Sequence, residues 1–321
     1  MMIARGTELA HSKPGKKGIF NEIWRQIDIQ TMVWPGIIFM LIFNYLPMYG
    51  VIIAFKNFVV TSGFQGFFTS KWVGLKHFAD FLTDPNFYTV LKNTLGINIM
   101  GLMIRFPITI IFALFLNEIT NDKFKRFTQT VSYLPHFLSW VIYGGLIIKI
   151  LSVETGAVNN YLLKWGIIDE PIFFLGEPKY FWSIAVISAL LKELGWSAIL
   201  YLAAIAGVDQ ELYEAAIIDG AGRFKRMWHI TLPSISGTIV ILLIFAISGI
   251  LSSGFDQIWM LQNPLNVDAS EVIDTYVYKV GLQQMRFSYS TAVGLMRSVV
   301  ALILLLGANF VSNKITEKGI F

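Results

Sequence analysis

EAAIIDGAGRFKRMWHITLP, residues 214–233, lies between two long apolar runs and matches neither in composition. A short turn would suffice to connect two spans, so a unit of small, acidic and basic residues here needs its own explanation. Upstream, Asp209 is a good helix N-cap, and QELYEAAII brings an acidic first turn with Leu212, Ala215 and Ala216 at i, i+3 and i+4 on one face. This predicts one short helix. Asp219-Gly220 supplies its stop, because glycine takes the left-handed conformation without strain, and Gly222 lets the chain turn again. A second short helix then carries Phe224, Met227 and Trp228 at the same spacing, keeps Lys225, Arg226 and His229 wet, and ends at Pro233. Such a pair of angled helices either docks into a groove on another protein or lies on lipid headgroups. Physics alone leaves both readings open.

The flanks of this unit set the class. Of 321 residues, 55% are hydrophobic and only 14% charged, which is too apolar for a soluble chain of this size. Length alone would allow about two soluble domains, but spans and short loops use up the chain, so one integral domain is expected. Runs of hydrocarbon-spanning length fall near 33–55, 94–117, 129–151, 180–206, 234–258 and 289–312, predicting an all-α integral membrane protein with six transmembrane helices. The first run is too long for a signal-peptide core and lacks a small-residue cleavage site, so it reads as a retained span. Pro35, Pro47, Pro107 and Pro135 predict kinks or late helix starts.

The net charge of +4 does not point to nucleic acid, since the basic residues sit in the polar gaps between spans. Thirteen of them fall in residues 1–32, 118–128, 207–233 and 313–321, and eight in the longer alternate gaps 56–93, 152–179 and 259–288. The positive-inside rule then makes 1–32 a cytoplasmic N-terminal segment, 33–312 the six-span domain with a cytoplasmic loop at 207–233, and 313–321 a cytoplasmic tail. Trp72, Phe78, Trp165, Trp259 and Tyr278 in the outer gaps read as interfacial belt aromatics.

Signs of chemistry are few. There is no cysteine, hence no disulfide framework, thiolate metal site or thiol nucleophile. There is no GxxxxGKS/T, and the GKKG at 15–18 lacks both the leading glycine and the hydroxyl. His11, His77, His136 and His229 fall at different predicted sides or depths with no HExxH, so no metal site is expected. The chain reads as non-catalytic, with no site of its own for ATP hydrolysis.

The opening stretch resembles the EAA loop of permease subunits of ATP-binding-cassette importers: EAA, three residues, Gly, nine residues, Ile, one residue, Leu-Pro. Glu214, Ala215, Ala216, Gly220, Ile230, Leu232 and Pro233 fill every position. The resemblance implies a type I ABC importer permease (MetI-like) fold whose cytoplasmic loop is the coupling helix. Those residues, with Asp219 and Phe224, would then meet the ATPase. It implies no cofactor in this chain, ATP and Mg being held by a partner ATPase dimer. It also implies a second homologous permease subunit and an extracytoplasmic solute-binding protein, in the cytoplasmic membrane of a prokaryote.

Further strings are similar to the LplB-like carbohydrate branch: YLPMYGVIIAFKNF (45–58), WVGLKHF (72–78), YLPHFLSWV (133–141), KELGWSAILYLAAIAG (192–207), FDQIWML (255–261), SEVIDTYVYKVGL (270–282) and SYSTAVGL (288–295). They imply an oligosaccharide or polysaccharide fragment as substrate. Gln210 stands where Pro is common and Gly222 where Ser or Asn is common, both outside the consensus positions. A permease for peptides or osmolytes, or a standalone secondary transporter with inverted repeats, are the rival readings.

Isolated charges mark the spans: Arg105, Lys192, Glu193 and Arg297. Each costs about 2.5–3.5 kcal/mol at mid-helix on insertion scales, so each should face the bundle interior or a wet cavity. Lys149, near a span end, can snorkel. Lys192 and Glu193 diverge by about 100° on a helix and are not expected to share one partner. Glu193, Trp196 and Arg297 are expected to face the solute path, with Gln257 and Trp259 near its outer mouth. The alternative is that Glu193 and Arg297 pair to hold two helices together.

Overall fold

The computed structural model describes residues 27–316. The GKKG at 15–18, His11, most of the expected N-terminal segment and residues 317–321 of the tail lie outside them. The fold is all-α, and its one β-type feature among the described residues is a single bridge between Lys56 and Trp72. These residues form two units divided after Ile52.

The first unit is one helical run that starts at Ile27 and carries Pro35 in its first segment. Before Pro47 the helix widens into a π turn, Leu41–Tyr45, in which the Leu46 amide donates to the Leu41 carbonyl. Proline has no N–H and its ring crowds the carbonyl four residues back, and a wider turn relieves both problems. The second unit repeats the device. Met227–Thr231 is a π turn, and the Leu232 amide donates to the Met227 carbonyl just before Pro233. Pro107, in contrast, is carried within the continuous Phe87–Asn117 helix.

Among the described residues, four helices are long and apolar enough to cross a membrane: Ile27–Phe55, Phe87–Asn117, Pro178–Ala206 and Phe287–Lys314. The number rises to six if two bent pairs each count as one span, Asp122–Phe137 with Trp140–Ile150 (102°) and Arg223–Ser234 with Ser236–Ser248 (64°). The expected run 129–151 is therefore broken. Pro135 sits in a 3-10 turn, Leu134–Phe137, and Ser139 starts the next helix by accepting the Ile142 amide at 3.3 Å. The expected run 234–258 is also not one helix. It stops at Ser248, leaves helical conformation over 249–254 with Gly254 at φ +68°, and resumes as the separate helix Phe255–Leu261. Asn98 Nδ2 on Ser253 Oγ (2.8 Å) and the Ser253 amide on Asp274 Oδ2 (2.9 Å) hold this non-helical stretch in place.

Three buried clusters hold the second unit together. One centres on Phe81, Val90, Tyr276 and Tyr289. Beside it, Asp84 Oδ2 accepts from the Tyr276 hydroxyl at 2.9 Å and the Tyr289 hydroxyl at 3.1 Å. Burial pushes the Asp84 carboxyl up, but the Asn86 amide and the two hydroxyls outweigh it and hold it below its usual value. A second cluster gathers Ile97, Phe181, Val186, Ile258 and Val272. The third packs Ala113, Ala198, Tyr201 and Ile205 of the long helices against Met227 and Ile235, and so joins the 209–235 segment to the spans. Small residues set these approaches, as expected where lipid supplies no hydrophobic drive between helices. A Cβ on Gly195 would lie 2.4 Å from the Ser132 carbonyl oxygen, so only glycine lets the two helices meet there.

Candidate functional site

The 209–233 segment folds as two short helices. Asp209 caps Gln210–Ile218 by accepting the Glu211 amide at 3.0 Å. Its end is a Schellman turn in which the Gly220 amide donates to Ile217 O (3.0 Å) and the Ala221 amide to Ala216 O (2.8 Å), with Gly220 at φ +75°. Nothing lies within 4 Å of a Cβ built on Gly220, so it is the left-handed backbone rather than lack of space that calls for glycine. After Gly222 the chain re-enters helix at Arg223. The two helices are tied by Tyr213 Oη and Thr231 Oγ1 at 2.9 Å.

The face expected from the spacing, Leu212, Ala215 and Ala216, lies mostly open, and the side turned to the spans is another. Tyr213 and Ala216 are half-buried, whereas Leu212, Glu214 and Ala215 are exposed. On the second helix Met227 alone of the expected trio is buried, while Phe224 and Trp228 stand out, 73% and 66% exposed. The unit rests on the spans through a narrow stripe, so most of its apolar side chains remain open. Ile218 is 86% exposed, and Asp219, Gly220 and Pro233 are exposed beside half-buried Ile230 and Leu232.

In the middle of the Pro178–Ala206 helix, Lys192 is almost fully buried and its Nζ donates to three carbonyls, Pro135 (3.0 Å), His136 (2.7 Å) and Leu138 (2.8 Å). These carbonyls lie at the end of a 3-10 turn, where only Pro135 O also receives a backbone amide, that of Leu138 (3.2 Å), and an ammonium group suits the negative end of the helix dipole. Glu193 Oε2 lies 2.6 Å from His136 Nδ1, and its Oε1 lies 3.6 Å from Lys192 Nζ. Contrary to the expected divergence, then, Lys192 and Glu193 meet the same segment: the broken turn at 135–138 wraps far enough round for two long side chains to straddle it. The His136 ring stacks on Trp196 at 4.2 Å and 3° between planes.

A cavity of about 600 Å³ opens between the Phe87–Asn117, Pro178–Ala206 and Ser236–Ser248 helices, and Arg105, Glu193 and Trp196 line it. Arg297 is elsewhere, ion-paired with Asp274, so the alternative Glu193–Arg297 pair does not form. Gln257 is buried and ties its helix to the Pro178–Ala206 helix through Ala185 O (2.6 Å) and Ser188 Oγ (3.0 Å). Trp259 packs against Phe255 and Tyr278, two residues that border a smaller cavity of about 320 Å³. Of the five expected path residues the structure brings together Glu193 and Trp196, and keeps Arg297, Gln257 and Trp259 apart from them. Arg105 on the cavity wall and His136, which holds Glu193 without lining the cavity, are the residues that the sequence reading did not single out here. Arg105 carried a signal as a mid-span charge, whereas nothing local to His136 foretold Glu193.

Residues 105–317 match the family described as binding-protein-dependent transport system inner membrane component. Among curated relatives, Protein LplB of Bacillus subtilis is 47% identical over 293 residues, covering 91% of each chain. The polygalacturonan/rhamnogalacturonan transport system permease protein YteP of the same organism is 44% identical, covering 96% of this chain and 95% of its own. Among solved structures, a chain of a bacterial ABC transporter involved in the import of the acidic polysaccharide alginate superposes with a TM-score of 0.84 at 38% identity, over 93% of this chain and 99% of that one. With several membrane-length helices and a match over most of its length, this chain belongs to the family of binding-protein-dependent transport system inner membrane components.

Proposed function

We propose that this chain forms half of the membrane path of an ATP-driven importer of oligosaccharides or polysaccharide fragments. A second homologous permease completes the path, an ATPase dimer binding ATP and Mg docks on the cytoplasmic side, and an extracytoplasmic binding protein delivers the solute. The observation that carries this reading is the 209–233 unit, which is rigidly capped and internally tied, yet leaves Ile218, Phe224 and Trp228 uncovered. An exposed apolar face on a polar loop is costly unless a partner covers it. The full EAA pattern makes that partner the ATPase, with Glu214, Ala215, Ala216, Asp219, Gly220, Phe224, Ile230, Leu232 and Pro233 at or beside the contact. The sugar is supported by the relatives, whose names include polygalacturonan/rhamnogalacturonan and alginate transport, and by the half-open Trp196 indole on a cavity that also has polar lining. Sugars present flat apolar faces and hydroxyls, which such a lining serves.

The test is reconstitution of this chain with its partner permease, ATPase and binding protein in vesicles. Binding protein loaded with an oligosaccharide should stimulate ATP hydrolysis and uptake, and stimulation by peptides or osmolytes alone would contradict the substrate class. The basic-residue distribution supports cytoplasmic termini in a prokaryotic cytoplasmic membrane. The cysteine-free chain makes this checkable, since single cysteines at Ser62 and Lys225 should react with an impermeant thiol reagent from outside only and inside only, respectively. Labelling of both from one face would reverse the topology.

A further inference from the structure

The cavity carries a cation that forms no ion pair within 4 Å among the described residues, and we propose that Arg105 makes the path selective for anionic sugars by taking the carboxylate of a uronic-acid unit. The inference rests on the oligosaccharide-importer reading and names the charge class of its substrate. Arg105 and Glu193 are the charged side chains on the cavity wall. The Glu193 charge is already balanced, with one oxygen on His136 and the other facing the ammonium of Lys192, which is itself saturated by three carbonyls. Glu193 acts on Arg105 only from beyond ion-pair distance. Among the described residues its guanidinium forms no ion pair within 4 Å, and the buried side-chain nitrogen left without a hydrogen bond is Arg226 Nε, so the Arg105 donors face open space rather than a sealed interior.

Its position is also arranged. The guanidinium lies along its own helix against Gly101, where a Cβ would come within 2.5 Å of Nη2, so glycine one turn away gives the group room on the cavity side. A guanidinium presents a planar fork of donors that matches a carboxylate in two parallel hydrogen bonds, which an ammonium does not. Trp196, Asn98, Ser197 and Ser252 on the same wall offer a stacking face and hydroxyl or amide partners for the rest of the sugar ring. One cation, rather than a cluster, keeps binding weak enough for release in each cycle.

The test uses the reconstituted complex with its binding protein and two probes of equal length, an oligogalacturonide and its methyl ester, which has the same backbone without the charge. All variants share one binding protein, so its own preference cancels in each variant-to-wild-type ratio. Arg105→Gln should lower oligogalacturonide uptake by at least about tenfold, the low end for a lost charge-assisted hydrogen bond, and leave methyl-ester uptake within about twofold. Arg105→Lys should retain part of the oligogalacturonide uptake. Equal uptake of the oligogalacturonide by Arg105→Gln and wild type, or an equal loss of both probes in an assembled complex, would overturn the assignment. If Arg105→Gln does not assemble, Arg105→Lys decides: a loss confined to the oligogalacturonide supports the assignment, and Lys behaving as wild type towards both probes overturns it. Transport of neutral glycans with rejection of charged ones sinks the Arg105 role and leaves sugar import standing, whereas failure with every glycan sinks sugar import itself.

Discussion

Between Asp122–Phe137 and Trp140–Ile150 the chain turns through 102°, and between Arg223–Ser234 and Ser236–Ser248 through 64°, yet the two breaks are held by different means. The first is clamped from outside. Lys192 of another helix donates to three of its carbonyls, Glu193 holds His136, and the Ser139 hydroxyl caps the outgoing helix. The second is held by its own residues. Ser234 Oγ donates to Ile230 O (2.7 Å), Ser236 Oγ to Pro233 O (2.6 Å) and the Ile235 amide to Thr231 O (3.1 Å), and its main tertiary anchor is the packing of Met227 and Ile235. Groups clamped by a remote helix move only with that helix. Groups satisfied locally can tilt as a body without losing hydrogen bonds. The contrast assigns the first break to the rigid frame beside the cavity, and the second, which continues into the exposed 209–233 unit, to the lever that an ATPase would move under the proposed function.

The largest expected effect comes from breaking the clamp. Lys192→Met keeps the bulk of the side chain but removes three hydrogen bonds, leaving the part-buried His136 and Leu138 carbonyls without this donor and Glu193 without the neighbouring ammonium, at about 1–3 kcal/mol for each unsatisfied group. The Pro135 carbonyl keeps the Leu138 amide. The assembled complex should melt well below wild type or fail to accumulate, as read by size-exclusion chromatography after heating. Wild-type stability in this variant would mean that the first break needs no clamp. A smaller effect sharpens the other side of the contrast. Tyr213→Phe removes one hydrogen bond between the two short helices, about 0.5–1.5 kcal/mol, and touches no span charge. Assembly should be unchanged while the number of solutes moved per ATP falls, because a looser lever transmits less. Unchanged coupling there would place the rigidity of the unit elsewhere.

Which of these features could be read in the chain follows from how local their causes are. Asp209 as cap and Gly220 as stop were legible because each acts on amides within a few residues. The all-α bundle was legible because hydrocarbon thickness fixes run length. The break at 249–254 was not, since hydropathy does not register the loss of helix through Gly249, two serines and Gly254 when their neighbours are apolar. No side of the first short helix was named from the sequence as the one that meets the spans. Tyr213 is drawn in by Thr231, 18 residues later, which no periodicity records. The mid-span charges were visible as costs and not as pairs. Glu193 meets His136 across 57 residues and Arg297 meets Asp274 across 23, and only the packing of separate helices selects those partners.

The central claim is that the 209–233 unit transmits ATPase closure to the spans, and Gly220→Val tests it most directly. Valine at φ +75° costs about 1–2 kcal/mol and its branched side chain resists the turn, so the Schellman stop should open while the spans stay packed. In the reconstituted complex the account predicts normal assembly and basal ATP hydrolysis, with stimulation by loaded binding protein and solute uptake both lost. An assembled Gly220→Val complex that still couples hydrolysis to uptake at the wild-type rate would contradict it.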